Sequence, residues 1–203
     1  MGKLAKRVIL CLCAAALVWC GALIADRQRL HEDLIRLHVV ANSDSEEDQS
    51  VKLLVRDAVV SSLEGDLKKL GDVQEVKAYL RENLAKIQTV ANETLEKAGF
   101  DQTAVVTLCR EAFDTREYDT FSLPAGVYES LRIVIGEGEG HNWWCVVFPT
   151  LCLSATTEGF EDTAAAAGFP DSLSAALEGE EGYEIRFYLL DAMGRLENIL
   201  FQG

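Results

Sequence analysis

The amino-acid sequence predicts an α+β protein: an N-terminal export helix, then one domain with a helical hairpin packed on a mostly antiparallel sheet. Three observations lead to this prediction. An uncharged apolar run, residues 8–25, follows a short basic segment. Two long segments between residues 45 and 99 carry apolar side chains at helical spacing. Beyond Gly99 the spacing of apolar residues alternates instead, so helices come early and strands late, which is typical of α+β domains.

The N-terminal segment has the features of an export signal. Three basic residues precede the apolar run 8–25, and Asp26 follows it. A basic region and then a hydrophobic stretch is typical of a signal peptide, and the run also reaches the lower length limit for a membrane span. Leu23 is large for the position that it would hold in a cleavage site. We therefore predict a signal peptide or membrane anchor over residues 1–25 and a polar spacer over residues 26–34.

The charge balance excludes two classes of partner. The chain has 33 Asp and Glu residues against 19 Lys and Arg residues, and its net charge is −14. Every charged residue of the leader is basic, so the remainder is more acidic still. Nucleic acid and anionic lipid both require a positive protein face. We expect no nucleic-acid partner, and membrane association only through the N-terminal segment.

The domain is expected to begin with a strand, a turn and a helix. Apolar and polar side chains alternate over residues 35–39, which predicts a strand, and residues 42–44, Asn-Ser-Asp, supply turn chemistry. Ser45 followed three residues later by Asp48 resembles a capping box, and three acidic residues suit the first turn of a helix. Apolar residues at helical spacing then continue to Gly65, where we expect this helix to end.

A second helix of similar length follows a short link. Asp72 and Glu75 repeat the capping pattern, and apolar residues at helical spacing continue to Leu95. Gly99 is a suitable residue to end this helix in a left-handed conformation. The two helices are therefore predicted to form a hairpin that packs against a sheet.

The second half of the domain is predicted to be mainly strands. Alternation indicates strands over residues 103–112, 127–135 and 183–190. Three glycines separate the second of these from another strand over 143–148, so we expect these two neighbours to form a hairpin. The acidic, Ala/Gly-rich residues 154–182 are expected to form a helix within loops.

The stretch GEGEGHNWWCVVFPTLC, residues 136–152, is the most distinctive in the chain. Its glycines resemble a phosphate-binding loop, but they lie between two strands, and Glu137 and Glu139 would repel an anion. A turn that requires positive φ is the better interpretation. Trp143 and Trp144 should point to opposite faces of an extended strand, one to anchor the core and the other to stand at the surface, where an exposed Trp often contributes to partner binding.

The cysteines outside the leader are Cys109, Cys145 and Cys152. An oxidising destination favours one disulfide and one buried thiol. Cys145 and Cys152 lie seven residues apart with Pro149 between them, so they are the candidate disulfide pair, although sequence does not fix the connectivity.

An exported cysteine-dependent hydrolase is the alternative to a protein without catalytic activity. It would use Cys145 as nucleophile, with His141 or His38 as base. The apolar surroundings of Cys145 oppose this interpretation because they raise the pKa of a thiol. The three histidines are too scattered for a zinc site. We predict no catalytic residues, no metal ion and no cofactor.

Two stretches resemble a known family. RLHVVANSDSEEDQSVKLLVRDAV, residues 36–59, and the stretch 136–152 are similar to the stage II sporulation protein R family of endospore-forming bacteria. Thr150 departs from the pattern, where a second proline is expected. The resemblance covers the chain up to about residue 153. It suggests a domain over residues 35–153, followed by an acidic segment and final strand over 154–203.

The resemblance implies a signalling protein rather than an enzyme. Such a protein is exported from the forespore into the space between the forespore and mother-cell membranes. There it activates a membrane-embedded aspartic peptidase of the mother cell, which removes the pro-sequence of the sigma-E precursor. On this basis the candidate partner-binding residues are Asn42, Ser43, Asp44, His141, Asn142, Trp143 and Trp144.

Overall fold

The structure is a computed structural model that describes residues 2–118, 121–148 and 168–202. Within these ranges the helices are α1 (Lys3–Asp33), α2 (Glu46–Leu67), α3 (Val73–Lys97), α4 (Asp171–Glu178) and α5 (Glu184–Gln202). The strands there are β1 (Ile35–Val40), β2 (Ala104–Phe113), β3 (Arg116–Glu117), β4 (Ser122–Leu123), β5 (Gly126–Ile135) and β6 (Asn142–Phe148). The α+β prediction, with an N-terminal apolar helix before a helix-and-sheet domain, is confirmed.

The main sheet has the strand order β2-β5-β1-β6. β1 pairs parallel with β5, with Leu37 opposite Leu131, and antiparallel with β6, with Leu37 opposite Cys145. β2 pairs antiparallel with β5, so the sheet is mostly antiparallel as predicted. The predicted hairpin of residues 127–135 with 143–148 is wrong, because β1 lies between them. All six residues of β1 are buried, which explains its central place.

The helical hairpin of α2 and α3 covers one face of the sheet. Its apolar stripe packs against Leu37, Val39 and Ile133 in one continuous core. The capping predictions hold: Ser45 Oγ accepts a hydrogen bond from the backbone N of Asp48 at 3.1 Å, which satisfies one free N–H of the first turn. Each fully buried Leu, Val or Ile side chain in this core contributes roughly 1.5–3 kcal/mol.

Two predicted boundaries of this hairpin differ in outcome. α2 does not end at Gly65 but continues to Leu67, whose side chain is buried in the core. The burial of one more apolar side chain thus outweighs the cost of a glycine inside the helix, which is only about 1 kcal/mol. Gly99 follows α3 with φ of 82°, as its predicted role requires.

The opposite face of the sheet is covered by α1, α4 and α5. The predicted strand at residues 183–190 is wrong, since these residues enter helix α5. Leu190, Gly194 and Asn198 recur every four residues and are all buried against the domain, a helical period that an eight-residue window does not reveal. The spacer predicted over 26–34 is also mostly helical, because α1 runs to Asp33.

The remaining predictions for the C-terminal part have mixed outcomes. A helix within residues 154–182 is present as α4, which packs its apolar side against the same face as α1 and α5. Residues 149–167, including Cys152, lie outside the described residues. The sheet is therefore enclosed between two helical layers, and the loops at the end of β1 remain at the surface.

Candidate functional site

The glycine-rich loop after β5 crosses over the end of β1 and contacts the turn that follows that strand. Asn42 accepts hydrogen bonds from the loop backbone, at its side-chain Oδ1 from Glu137 N (3.1 Å) and at its carbonyl from Glu139 N (3.1 Å). Gly140 N donates to the carbonyl of Ala41 at 3.0 Å. We call this meeting of residues 41–48 with residues 136–143 the motif junction.

Two glycines permit this close approach. A Cβ at Gly140 would lie 2.2 Å from the carbonyl oxygen of Ser43, and a Cβ at Gly136 would lie 2.2 Å from Asn42 Oδ1. Gly136 also has φ of 56°, which side-chain-bearing residues rarely adopt. The glycines therefore serve chain geometry, as the sequence indicates, but in a crossover rather than a hairpin.

Asp48 holds the turn together from inside. Its Oδ2 accepts hydrogen bonds from Ser43 Oγ at 2.6 Å and from Asn42 Nδ2 at 2.8 Å. The residue is buried, and these hydrogen bonds, from Ser43 first and then Asn42, hold the pKa of its carboxyl below the usual range. Two of the predicted partner-binding residues, Asn42 and Ser43, thus direct their side chains inward.

Asp44 and His141 form the exposed part of the motif junction. Asp44 Oδ1 accepts a hydrogen bond from His141 N at 2.6 Å and also contacts the His141 ring Nδ1. The backbone and then the side chain of His141 lower the pKa of Asp44. Beneath them Lys52 Nζ donates to the carbonyl of His141 at 2.9 Å, and burial lowers the pKa of this lysine. The arrangement fixes His141 at the surface.

The two tryptophans point to opposite faces, as predicted. Trp143 packs beside the core under α2, with the Arg56 guanidinium 4.4 Å from its ring centre. Trp144 stacks on His38, and the Arg116 guanidinium lies 3.4 Å from its ring centre. Neither ring stands free at the surface; both are half-buried, because each is flanked by an arginine. Both rings pack at the rim of the core on their own faces of the sheet, and partner binding by either ring stays a prediction.

A polar cluster around His38 links Trp144 to the middle of the sheet. His38 Nδ1 lies 3.1 Å from Glu111, and Nε2 lies 3.0 Å from the side-chain amide of Asn142. Burial raises the pKa of Glu111, but the hydrogen bond with His38 and the charge of Arg132 act in the opposite direction, and the net shift is downward. Asn142 therefore joins this cluster to the motif junction.

The geometry required by a thiol hydrolase is not formed. Cys145 is opposite Leu37 and His38 is opposite Trp144, so the cysteine and this histidine point to opposite faces of the sheet. Cys145 is buried in the core under α2 and α3, whereas His141 is exposed in the loop. Cys109 is a free thiol whose pKa is raised by burial.

Of the two cysteines in the candidate disulfide, the structure describes Cys145. Free thiols in the described part of the chain are those of Cys11, Cys13, Cys20 and Cys109, and Cys145 is not among them. Cys152 lies outside the described residues, so the Cys145–Cys152 pairing stays a prediction. Over residues 2–118, 121–148 and 168–202, no three His, Cys, Asp or Glu side chains are grouped as metal ligands.

Sequence reasoning missed several residues of the motif junction and its surroundings. Lys52 and Arg56 on α2, like Glu111 on β2 and Arg116 on β3, lie far in sequence from the residues of β6 and its preceding loop that they contact or surround, and no local pattern marks them. Asp48 is recognisable in the sequence as part of a helix-capping pattern, but its hydrogen bonds to Asn42 and Ser43 are not among the predictions. Those bonds are sequence-local, and an Asn-Ser-Asp turn before an acidic first helical turn is a signal that would have found them.

The protein thus consists of an acidic α+β domain preceded by the apolar helix α1, and the motif junction lies at the surface of the domain. The α1 helix is long and apolar enough to cross a membrane, which fits a signal sequence or an anchor. A family model described as stage II sporulation protein R matches residues 31–158. The chain therefore belongs to the stage II sporulation protein R family, whose description indicates a role in sporulation.

A curated relative supports the same assignment. The stage II sporulation protein R of Bacillus subtilis (strain 168) is 39% identical to this chain over 128 residues. The match covers 63% of this chain and 57% of that protein, so the chain spans little more than half of its relative. No solved structure matches the chain.

Proposed function

We propose that this protein is exported from the forespore and activates a membrane-embedded aspartic peptidase across the intermembrane space, which triggers processing of the sigma-E precursor. One observation carries the proposal: the two segments that resemble the family most closely, far apart in sequence, meet at the motif junction. The two segments thus contribute to one surface, as a shared partner-binding site requires. The apolar helix α1 supports export, since it suits either a signal sequence or an anchor.

The residues of the motif junction divide into two roles. Asn42, Ser43 and Asp48 hold the turn from inside through short hydrogen bonds. Asp44 and His141 are exposed and hydrogen-bonded to each other. We assign them as the residues of this protein that contact the peptidase. A surface that is rigid before binding loses little conformational entropy when the partner docks.

The chemistry of the surrounding surface suggests what the partner presents. Glu46, Glu47, Glu137 and Glu139 are all exposed around Asp44 and His141. A complementary peptidase surface would carry Lys or Arg side chains, because opposite potentials favour encounter and like charges oppose it. Charged rims of this kind mainly raise the association rate.

Activation in this account is a shift of a conformational equilibrium. The protein has no reaction of its own here; it binds the active state of the peptidase more tightly than the inactive state. Each tenfold difference in affinity between the two states supplies about 1.4 kcal/mol of that shift. We also propose a disulfide between Cys145 and Cys152, which the oxidising space outside the cytoplasm favours. This disulfide would link β6 to the chain that follows it.

The test is reconstitution in a bacterium that does not sporulate. The peptidase and the sigma-E precursor are co-expressed with the full chain, or with a chain that lacks residues 2–21 and keeps Leu23 and the rest of the domain. We expect precursor cleavage with the exported form alone. Absence of cleavage with exported, folded protein would refute activation, and equal cleavage with the unexported chain would refute action across the membrane.

A further inference from the structure

Helix α5 presents an apolar stripe to solvent along its whole length. The stripe consists of Ile185, Tyr188, Leu189, Ala192, Leu196, Ile199 and Leu200. Positions spaced three and four residues apart share one side of a helix, and no charged residue interrupts this side. Five of its large side chains are 60–75% exposed, and Leu189 is 36% exposed. A contiguous exposed apolar surface of this kind marks a protein or membrane contact.

The other side of α5 is fastened to one end of the sheet. Asp191 Oδ1 accepts a hydrogen bond from Ala125 N at 2.8 Å, and Asn198 Nδ2 donates to the carbonyl of Phe113 at 2.8 Å. A Cβ at Gly194 would lie 1.5 Å from the carbonyl oxygen of Ala125, so the helix backbone touches the chain there. At this end β2 finishes and β5 begins, and α1 leaves the domain from the same end, just before β1.

α5 also crosses α1 where the apolar segment ends. Arg186 forms an ion pair with buried Asp26, and Glu197 contacts Arg27 at 2.9 Å and His31 at 3.5 Å. The two contact points are about 16 Å apart along α5 but no more than about 8 Å apart along α1. Spacings this unequal fit a steep crossing, in which α5 runs across the direction of α1 instead of along it.

We propose that the apolar stripe of α5 lies on the membrane surface, beside the point where α1 enters it. A helix that crosses a membrane-spanning helix steeply runs close to the plane of the bilayer, and its unpartnered side is apolar as an interfacial helix requires. Continuity with α1 selects the bilayer over a protein partner. Arg186 and Arg195 are both paired with acidic side chains, so contact depends on apolar burial and not on anionic lipid. The membrane contact expected through the N-terminal segment alone is thus joined by a second contact, through α5.

Photo-crosslinking of the full chain tests this directly. A diazirine amino acid replaces Leu196 on the stripe, or Leu54, which is 52% exposed on α2 on the far face of the sheet, as the matched control. Each protein is reconstituted through α1 into phosphatidylcholine vesicles, irradiated and analysed by mass spectrometry. We expect severalfold more lipid adduct from position 196 than from position 54, and the same result when the probe replaces Tyr188.

Three outcomes would overturn the proposal. Equal lipid adducts at positions 196 and 54 would mean that α5 has no special proximity to the bilayer. Adducts to a second copy of the chain would assign the stripe to a dimer. Adducts that form only after phosphatidylglycerol is added would show electrostatic rather than apolar contact. The result does not depend on the peptidase, so it stands or falls apart from the proposed function.

Discussion

Gly140 packs directly against the carbonyl of Ser43, and no side chain fits between them. A Cβ at Gly140 would lie 2.2 Å from that oxygen and 2.5 Å from its carbon. Contacts below 3 Å to backbone atoms require the chain to move. The contact joins the loop after β5 to the turn after β1, so the motif junction requires a glycine at position 140.

Gly140→Ala should destabilise the protein by about 3 kcal/mol, because an inserted methyl group in a tightly packed site typically costs 1–3 kcal/mol and a backbone clash costs more. Urea unfolding of the full chain in detergent measures this. Gly65→Ala is the matched control: nothing lies within 4 Å of its Cβ position, and alanine in a helix gains up to about 1 kcal/mol. Equal stability of the two variants would contradict the packing described here.

Asp48→Ala should destabilise the domain by about 2–3 kcal/mol at neutral pH, because it leaves Asn42 and Ser43 without their charged acceptor. The pKa of Asp48 is lowered in the folded protein, so this stabilisation is present above the pKa of the unfolded chain and is lost as pH falls through the folded pKa. Urea unfolding at neutral and strongly acid pH should therefore show the difference from wild type shrinking in acid. Glu47→Gln, an exposed neighbour, should show a much smaller difference at neutral pH; a constant Asp48 difference would argue against the pKa assignment.

Arg186→Ala should destabilise the protein by about 3–5 kcal/mol, because it leaves the carboxylate of Asp26 buried and unpaired. Arg195→Ala removes an ion pair whose arginine is 61% exposed, so its effect should be much smaller than that of Arg186→Ala. Thermal unfolding of both variants in detergent compares them. The contacts of α5 indicate that it is an integral part of the domain, although it lies beyond the residues matched by the family model. If both variants lose little stability, that conclusion is wrong.

Denatured protein that has not been reduced should take up iodoacetamide at four thiols, those of Cys11, Cys13, Cys20 and Cys109. After reduction all six cysteines of the chain should react. Intact-mass spectrometry of exported protein that retains α1 counts the adducts. Six adducts without reduction would exclude the Cys145–Cys152 pairing and return Cys145 to consideration as a reactive thiol.

Local patterns in the sequence predict α2 and α3 well. Ser45 and Asp72 cap the helices through neighbours two or three residues away, and the apolar stripes repeat over more than twenty residues. Strand pairing is different, because β1 enters between β5 and β6 from about a hundred residues earlier in the chain. Nothing near residues 136–142 distinguishes a crossover from a hairpin. The strand predicted at 183–190 failed because eight residues with aromatic and branched side chains satisfy both periods.

The candidate site could be located from the sequence only through family resemblance. The resemblance selects Asn42, Ser43, Asp44 and His141 together, but it does not distinguish inward from outward side chains. That distinction depends on Asp48, whose carboxylate turns Asn42 and Ser43 toward the protein. The arginines over Trp143 and Trp144 come from other segments, and only the folded chain shows that they cover both rings.

The central claim is that the exposed pair Asp44 and His141 contacts the peptidase. The most direct measurement is cleavage of the sigma-E precursor in the reconstituted bacterium, with the exported chain carrying Asp44→Ala and His141→Ala at a matched amount. Both side chains are largely exposed, so the melting temperature of the variant should remain close to wild type. The account predicts that cleavage is lost while the protein stays folded. Undiminished cleavage by the double variant would contradict it.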